Sequence, residues 1–386
     1  MNSLGNLLKN NMRKSSMVIA LILIALLFQI LTDGTLLKPL NITNLILQNS
    51  YILILAVGMV LVIITGHIDL SVGSVAAFVG AVSAILMIEM QMNPWLAVVI
   101  CLVIGALIGA WQGFWVAYVG IPAFIVTLAG MLLFRGLTLV VLKGQSIAPY
   151  PESFQKINNG FIPDLFGGES IHLFSLVIGL LISLVLIALE IRTRNNQLKY
   201  RFEVSPTWLF YLKLFSVFAA VNFFTYVLST YRGIPNILVI LFVIIVIYAF
   251  VMKKTIVGRH IYAVGGNLKA ASLSGIKTKR VTLGVFINMG VLAALSGLIF
   301  AARLNAATPR AGNLFELDAI AAVFIGGASA YGGVGTVIGA VVGGLVMGVM
   351  NNGMSILGIS IDWQQAIKGL VLLAAVAFDI VNKRKN

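Results

Sequence analysis

The chain alternates apolar runs of about 17–25 residues with short polar breaks, the length at which a helix crosses ~30 Å of hydrocarbon. Period-2 alternation is weak, which argues against a transmembrane barrel and for helices. With the N-terminus inside, the pattern predicts spans at 17–31, 50–66, 70–89, 95–118, 123–142, 171–191, 207–229, 235–252, 281–302, 315–331, 334–356 and 364–380. An even number of crossings returns the C-terminal tail to the starting side. The weak members are the pair within 50–89, joined by almost nothing, and the short Gly-rich stretch 315–331. Each is either a full crossing or a broken, re-entrant helix, which survives only where protein or water buries the freed backbone groups. The expected fold is an all-α polytopic membrane protein, one domain over 1–386, with about 10–12 transmembrane helices.

Composition agrees. Of 386 residues, 60% are hydrophobic and 10% charged, against roughly 25% charged in soluble domains. The net charge of +14 would suggest nucleic acid if it lay on one face of a soluble fold. Instead, 18 of the 26 Lys and Arg residues form four clusters. These are Lys9, Arg13 and Lys14; Arg192, Arg194, Lys199, Arg201 and Lys213; seven residues between Lys253 and Arg280; and Lys383, Arg384 and Lys385. Placing all four on the cytoplasmic side satisfies the positive-inside rule and leaves membrane lipid as their counter-charge, with no nucleic-acid partner. Cys101 is the only cysteine and the three histidines share no ligand-like spacing, so neither a disulfide framework nor a metal site is expected. The first apolar run, Met17 to Leu31, leads into Thr32-Asp33-Gly34 without a small-x-small cleavage site, which reads as a retained helix rather than a signal peptide.

Two regions carry turn and packing chemistry. The longest outer connection, Lys143 to Ser170, holds three prolines and several Gly and Asn; it is either a surface for an extracytoplasmic partner or a plain linker ordered by turns. Glycine crowds the last third, and Gly339, Gly343, Gly344 and Gly348 have small-xxx-small spacing, suited to close helix packing, a subunit interface or a pore wall. No G-x-x-x-x-G-K-[ST] stretch occurs, so no Walker-type ATP site is expected on this chain.

Ionisable groups inside a bilayer cost at least about 2.5–3.5 kcal/mol and ask for a partner or a cavity. Asp69 with Ser71 stands at a joint between apolar runs, as a helix cap, a pathway-lining pair or both. Arg135 is placed to form an intramembrane ion pair with Glu316 or Asp318. Lys368 reads as a snorkelling side chain, and Asp379 as a cap or a partner of Lys383. Paired carboxylates, a Ser-His-Asp set and a metal cluster are all lacking in the pattern, so no catalytic residues are assigned. Acidic groups are too sparse mid-span to suggest ion-coupled transport, which puts the energy source on another polypeptide.

The loop KKTIVGRHIYAVGGNLKAASLSGIKTKR (253–280) is more basic than orientation alone requires. Its Ala-rich middle, Asn267 to Ile276, is bracketed by Gly265-Gly266 and Gly275, residues that permit sharp entry and exit. It reads as a short helix held at the membrane surface for a soluble partner, or else as an ordered surface loop.

Four segments together resemble the permease subunits of bacterial ATP-binding-cassette importers for monosaccharides, the ribose, xylose, arabinose and galactose group. They are ITGHIDLSVGSV (64–75), GIPAFIVTLAGMLLFRGL (120–137), GRHIYAVGGNLKAASLSGI (258–276) and ELDAIAAVFIGGASAYGGVGTVIGAVVGGLVMGVMNNG (316–353). The stretch 171–230 resembles the extra helix pair of the longer xylose or multiple-monosaccharide permeases. The resemblance implies a type II importer fold in the bacterial inner membrane, with both termini cytoplasmic. It implies a second copy of the chain, a cytoplasmic ABC ATPase that carries the ATP and Mg, an extracytoplasmic sugar-binding protein, and no cofactor on this chain. The family's coupling helix, G-N-x-x-A-A-x-x-S-G-I, falls on Gly266, Asn267, Ala270, Ala271, Ser274, Gly275 and Ile276, with Arg259 and Gly265 beside it. Alternating access then passes a monosaccharide along a sparsely polar path, for which Asn49, Asp69, Ser71, Thr127, Asn351 and Asn352 are the candidate lining. The rival readings are a permease for another small solute, such as branched-chain amino acids, and a self-powered carrier.

Overall fold

A computed structural model describes residues 2–168, 171–202 and 204–384, with side chains from Met17 to Ala377. The terminal basic clusters and the expected role of Asp379 lie outside the described side chains. The elements are α1 (Asn2–Leu31), α2 (Pro39–Ile64), α3 (Val72–Ala84), α4 (Pro94–Phe114), α5 (Ala123–Leu142), α6 (Glu152–Asn159), α7 (Leu173–Lys199) and α8 (Thr207–Ser229). They continue as α9 (Asn236–Lys254), α10 (Ile256–Gly266), α11 (Leu268–Leu273), α12 (Thr278–Leu304), α13 (Phe315–Ile325), α14 (Val337–Ile356) and α15 (Ile361–Arg384). Single π-helical turns, Ile85–Glu89 and Trp115–Val119, extend α3 and α4. Among the described residues, nine helices are long and apolar enough to cross a membrane, and every expected span carries a helix.

Local chemistry sets the boundaries. Helix α4 begins where Asn93 Oδ1 accepts the Trp95 N–H at 2.9 Å, with Pro94 in the first helical position. Thr336 caps α14 in the same way, accepting the Gly339 N–H at 3.0 Å. At the centre stand α2 and α12, buried for 83% and 72% of their spans, whereas α9 is buried for only 17% and presents its apolar face outward.

Glycines bring these helices together. A Cβ at Gly339 or Gly343 would overlap the backbone of α13, and one at Gly344 or Gly348 would press on Leu53 or Asn49 of α2. The glycine stripe of α14 therefore packs against two neighbours, the dense-packing reading of its spacing. The pair α7–α8 packs chiefly on itself: Gly179 lies against Thr225, and Asn222 Nδ2 donates to Ser183 Oγ at 3.1 Å.

The two weak members of the span pattern resolve differently: the pair within 50–89 forms two membrane-length helices joined by a coil, whereas 315–331 is broken. Helix α13 has 11 residues, about 16 Å of rise and roughly half a bilayer. Its start stacks beside Tyr51, with Phe315 at 4.0 Å between ring centroids. The coil 326–336 completes the passage to the basic end of the molecule, where the Gly333 N–H donates to the Ile64 carbonyl at 2.9 Å. Between α2 and α3 the chain turns back as coil over 65–71. Thr65, Asp69, Ser71, Ala328 and Ser329 are buried in these coils, so protein covers the polar groups that leave the helices there.

Candidate functional site

Two features stand out: a protruding elbow at the basic end, and a charged centre where the broken segments meet. The elbow is α10 followed by α11. Thr255 begins α10, and Asn267, extended at φ −158° and ψ 103°, makes the turn into α11 while its Oδ1 accepts the Ala270 N–H at 2.9 Å. Helix α11 closes with the Ile276 N–H on the Ala271 carbonyl (3.1 Å) and the Gly275 N–H on Ser272 (3.0 Å), with Gly275 at φ +84°. That is a Schellman ending, and the left-handed position explains the glycine. The exit glycine works as expected; the entry does not. Gly265 is helical, and its bare Cα lets α10 press on the Ile64 carbonyl and the Gly333 N–H, while a Cβ added at Gly266 would meet nothing within 4 Å. The bend belongs to Asn267.

Gly265 therefore sits at a three-way joint of α10, the end of α2 and the coil after α13. The Tyr262 hydroxyl reinforces it, donating to the Gly335 carbonyl at 2.7 Å. Beyond the joint, Ala271 is buried, but Arg259, Ala270 and Ser274 are exposed, as is Leu268; Leu273 is 81% exposed. Two exposed leucines on a short helix outside the apolar spans form a surface that lacks a cover among the described residues. Sequence reasoning passed over Leu268, Leu273 and Tyr262; apolar residues in an otherwise basic and small-residue loop were the available signal.

In the charged centre, Asp69 Oδ1 accepts the Ser71 N–H (2.8 Å) and hydroxyl (2.6 Å), and Gln112 Nε2 donates to Ser71 Oγ (2.8 Å). Asp69 thus braces the turn before α3. Arg135 does not pair with an acid: its Nη1 donates to the Ala311 carbonyl at 2.6 Å. The partner of Asp318 is Lys368, with Nζ 2.9 Å from Oδ1. Glu316 packs on Gly73, and its Oε2 is buried without a hydrogen-bond partner. The ion pair expected among Arg135, Glu316 and Asp318 is therefore replaced by one from α15, because the carbonyl beside Arg135 is nearer than either carboxylate.

None of the expected lining residues borders the cavity behind the elbow, and several bond within the bundle. Asn49 Nδ2 donates to the Leu45 carbonyl (2.9 Å), and Thr127 Oγ1 to that of Ala123 (2.9 Å). Asn352 exchanges amide bonds with Asn41 at 2.7 and 3.1 Å. Buried polar groups in an apolar bundle bond inward; Asn351 Oδ1 is buried with no partner. Among the described residues no group of three His, Cys, Asp or Glu could hold a metal.

Comparison with known proteins matches residues 41–195 and 170–376 to the family described as "Branched-chain amino acid transport system / permease component". The chain is 40% identical over 380 residues to the xylose transport system permease protein XylH of Escherichia coli (strain K12), covering 97% of this chain and 94% of that protein. It is 39% identical over 376 residues to XylH of Haemophilus influenzae (97% and 98% covered). To the ribose import permease protein RbsC of Escherichia coli (strain K12) it is 34% identical over 376 residues (97% and 95% covered). No solved structure gives a significant match. The chain belongs to this family of transport permease components, as a permease subunit of the monosaccharide ABC-importer group.

Proposed function

We propose that this chain forms the membrane path of an ATP-driven monosaccharide importer, working with a second copy of itself in the bacterial inner membrane, both termini cytoplasmic. A sugar-binding protein delivers substrate from outside, and a cytoplasmic ATPase, holding ATP and Mg, grips the elbow at Arg259 and at 265–276. The observation that carries this reading is the joint at Gly265. The exposed docking helix is fastened, through Gly265, Tyr262 and Gly333, to the end of α2 and to the broken segment 315–336. A push on α11 therefore reaches two elements of the membrane core without a flexible linker. Non-helical coils at membrane depth are the natural places for such movement, since they bend without breaking a helical ladder. Asn351 is the residue kept for the sugar path; Asn49, Asp69, Ser71, Thr127 and Asn352 are assigned to holding the bundle that forms its wall.

The test is uptake of labelled xylose by proteoliposomes containing the chain, its ATPase and its binding protein. Gly275→Trp forces a bulky residue into the left-handed conformation, at about 1–2 kcal/mol, and reshapes the elbow exit. ATP hydrolysis should persist while uptake falls to background. Unchanged uptake would remove the elbow from the mechanism, and competition by leucine rather than by xylose or ribose would shift the substrate to branched-chain amino acids.

A further inference from the structure

A cavity of ≈770 Å³ opens behind the elbow, between α9, α10 and α12. That lies within the roughly 300–1,000 Å³ typical of small-molecule sites, far beyond a packing defect. One face of α12 and the turn before it lines the cavity in a telling order. Lys277 and Arg280 stand at the start of α12, Val281 and Gly284 follow, and Asn288 is the lining residue farthest along the helix. Opposite, Ile247 on α9 and Val257 on α10 complete an apolar wall, and both are more than half exposed. Since α9 is a membrane-length helix buried for only 17%, the mouth opens sideways toward hydrocarbon.

The charges at the head of this cavity have no acid to answer them. No Asp or Glu occurs in the sequence between Glu203 and Glu316, and neither Lys277 nor Arg280 takes part in an ion pair among the described residues. At the floor, Asn288 Oδ1 accepts from the Tyr248 hydroxyl while its Nδ2 donor stays buried and unpartnered. Cations above, an apolar trough below and a spare donor at depth fit one kind of occupant. It is an amphiphile with an anionic head, an ester-bearing neck and an acyl tail. A neutral sugar satisfies none of the cations and wets the apolar wall.

We infer that this cavity is a binding site for an anionic phospholipid of the leaflet at the basic end, its phosphate on Lys277 and Arg280 and one acyl chain along Ile247, Val257 and Val281. The lipid then forms the back wall of the elbow, since Ser274, Gly275 and Ile276 also border the cavity. The site depends on the chain being membrane-embedded and not on which solute it carries.

The experiment is native mass spectrometry of the full-length chain in detergent, titrated with phosphatidylglycerol or phosphatidylcholine. Each Lys or Arg near an anionic head is worth about fivefold in affinity, so the pair contributes about 30-fold. Phosphatidylglycerol should be retained at about that preference, and Lys277→Gln/Arg280→Gln should abolish the preference. Lys269→Gln/Lys279→Gln, which removes the same charge outside the cavity, should leave it intact. Gly284→Phe fills the trough directly: a Cβ at Gly284 meets nothing within 4 Å, so the helix tolerates it. Retention should be lost with thermal stability unchanged. Equal retention of the two lipids, or phosphatidylglycerol binding that survives Gly284→Phe, would overturn the site.

Discussion

The pair Lys368–Asp318 offers a quantitative test of how the broken segment is held. The ammonium lies 2.9 Å from the carboxylate; the Asp318 side chain is 7% exposed and that of Lys368 24%. Lys368→Met keeps the length of the side chain and removes its charge. The carboxylate, already out of water, then has no counter-charge, a situation that costs about 3–5 kcal/mol. Asp318→Asn is milder, because the lysine, a quarter exposed, can extend its ammonium toward water along its stem; about 1–2 kcal/mol is expected. The double substitution strands nothing, so it should be more stable than Lys368→Met alone, giving a coupling energy of about 2–3 kcal/mol. The assay is reversible unfolding of the detergent-solubilised chain in increasing SDS, across all four members of the cycle. A Lys368→Met cost below about 1 kcal/mol, or simple additivity in the double variant, would refute the assignment of α15 as the clamp on α13.

Other contacts give separate expectations. Gly265→Leu drives a side chain into the Ile64 carbonyl and forces α10 off the end of α2, so sugar uptake should fall further than ATP hydrolysis; paired hydrolysis and uptake measurements check this. Gly343→Leu drives a side chain into the Ala322 carbonyl and should destabilise by at least about 1–3 kcal/mol. Gly136→Ala, whose Cβ meets nothing within 4 Å, should gain about 0.5–1 kcal/mol; thermal melts of the two should move in opposite directions. Partial desolvation is the largest single influence on the Asp164 carboxyl and raises it, but the N–H groups of Phe166, Phe174, Gly168 and Leu173 together outweigh it and hold its pKa below the ordinary value. Its contribution is therefore complete above about pH 4 and is lost as pH falls through the lowered value. The stability gap between wild type and Asp164→Asn should close in that acidic window, as read from melts at successive pH values.

Much of the fold was legible because span length is a strong signal in an apolar chain. The joint at Gly66, His67 and Asp69 was legible as a weak point, but the sequence left open whether 315–331 crosses fully, and only the structure ends that helix at Ile325. Gly275 was readable for the same local reason, since a helix end asks for a left-handed residue. What failed depended on three-dimensional proximity. Lys368 looked like a snorkelling side chain because its partner lies 50 residues away, and Arg135 found a carbonyl that no pattern marks. The role of Gly265 was misread as a bend, when its missing side chain serves contact with α2. The polar residues chosen as pathway lining bond inside the bundle instead, because in an apolar interior a nearby backbone carbonyl competes for every amide and hydroxyl.

Coupling to an ATPase requires that the elbow face it in the intact assembly. Leu273→Cys places a thiol at an 81% exposed position of α11, over a low background because the native Cys101 is buried. Labelling with a membrane-impermeant maleimide should proceed in inside-out vesicles lacking the ATPase, be blocked when the ATPase is bound, and fail in right-side-out vesicles. Labelling from the outer face, or equal labelling with and without the ATPase, would contradict the account.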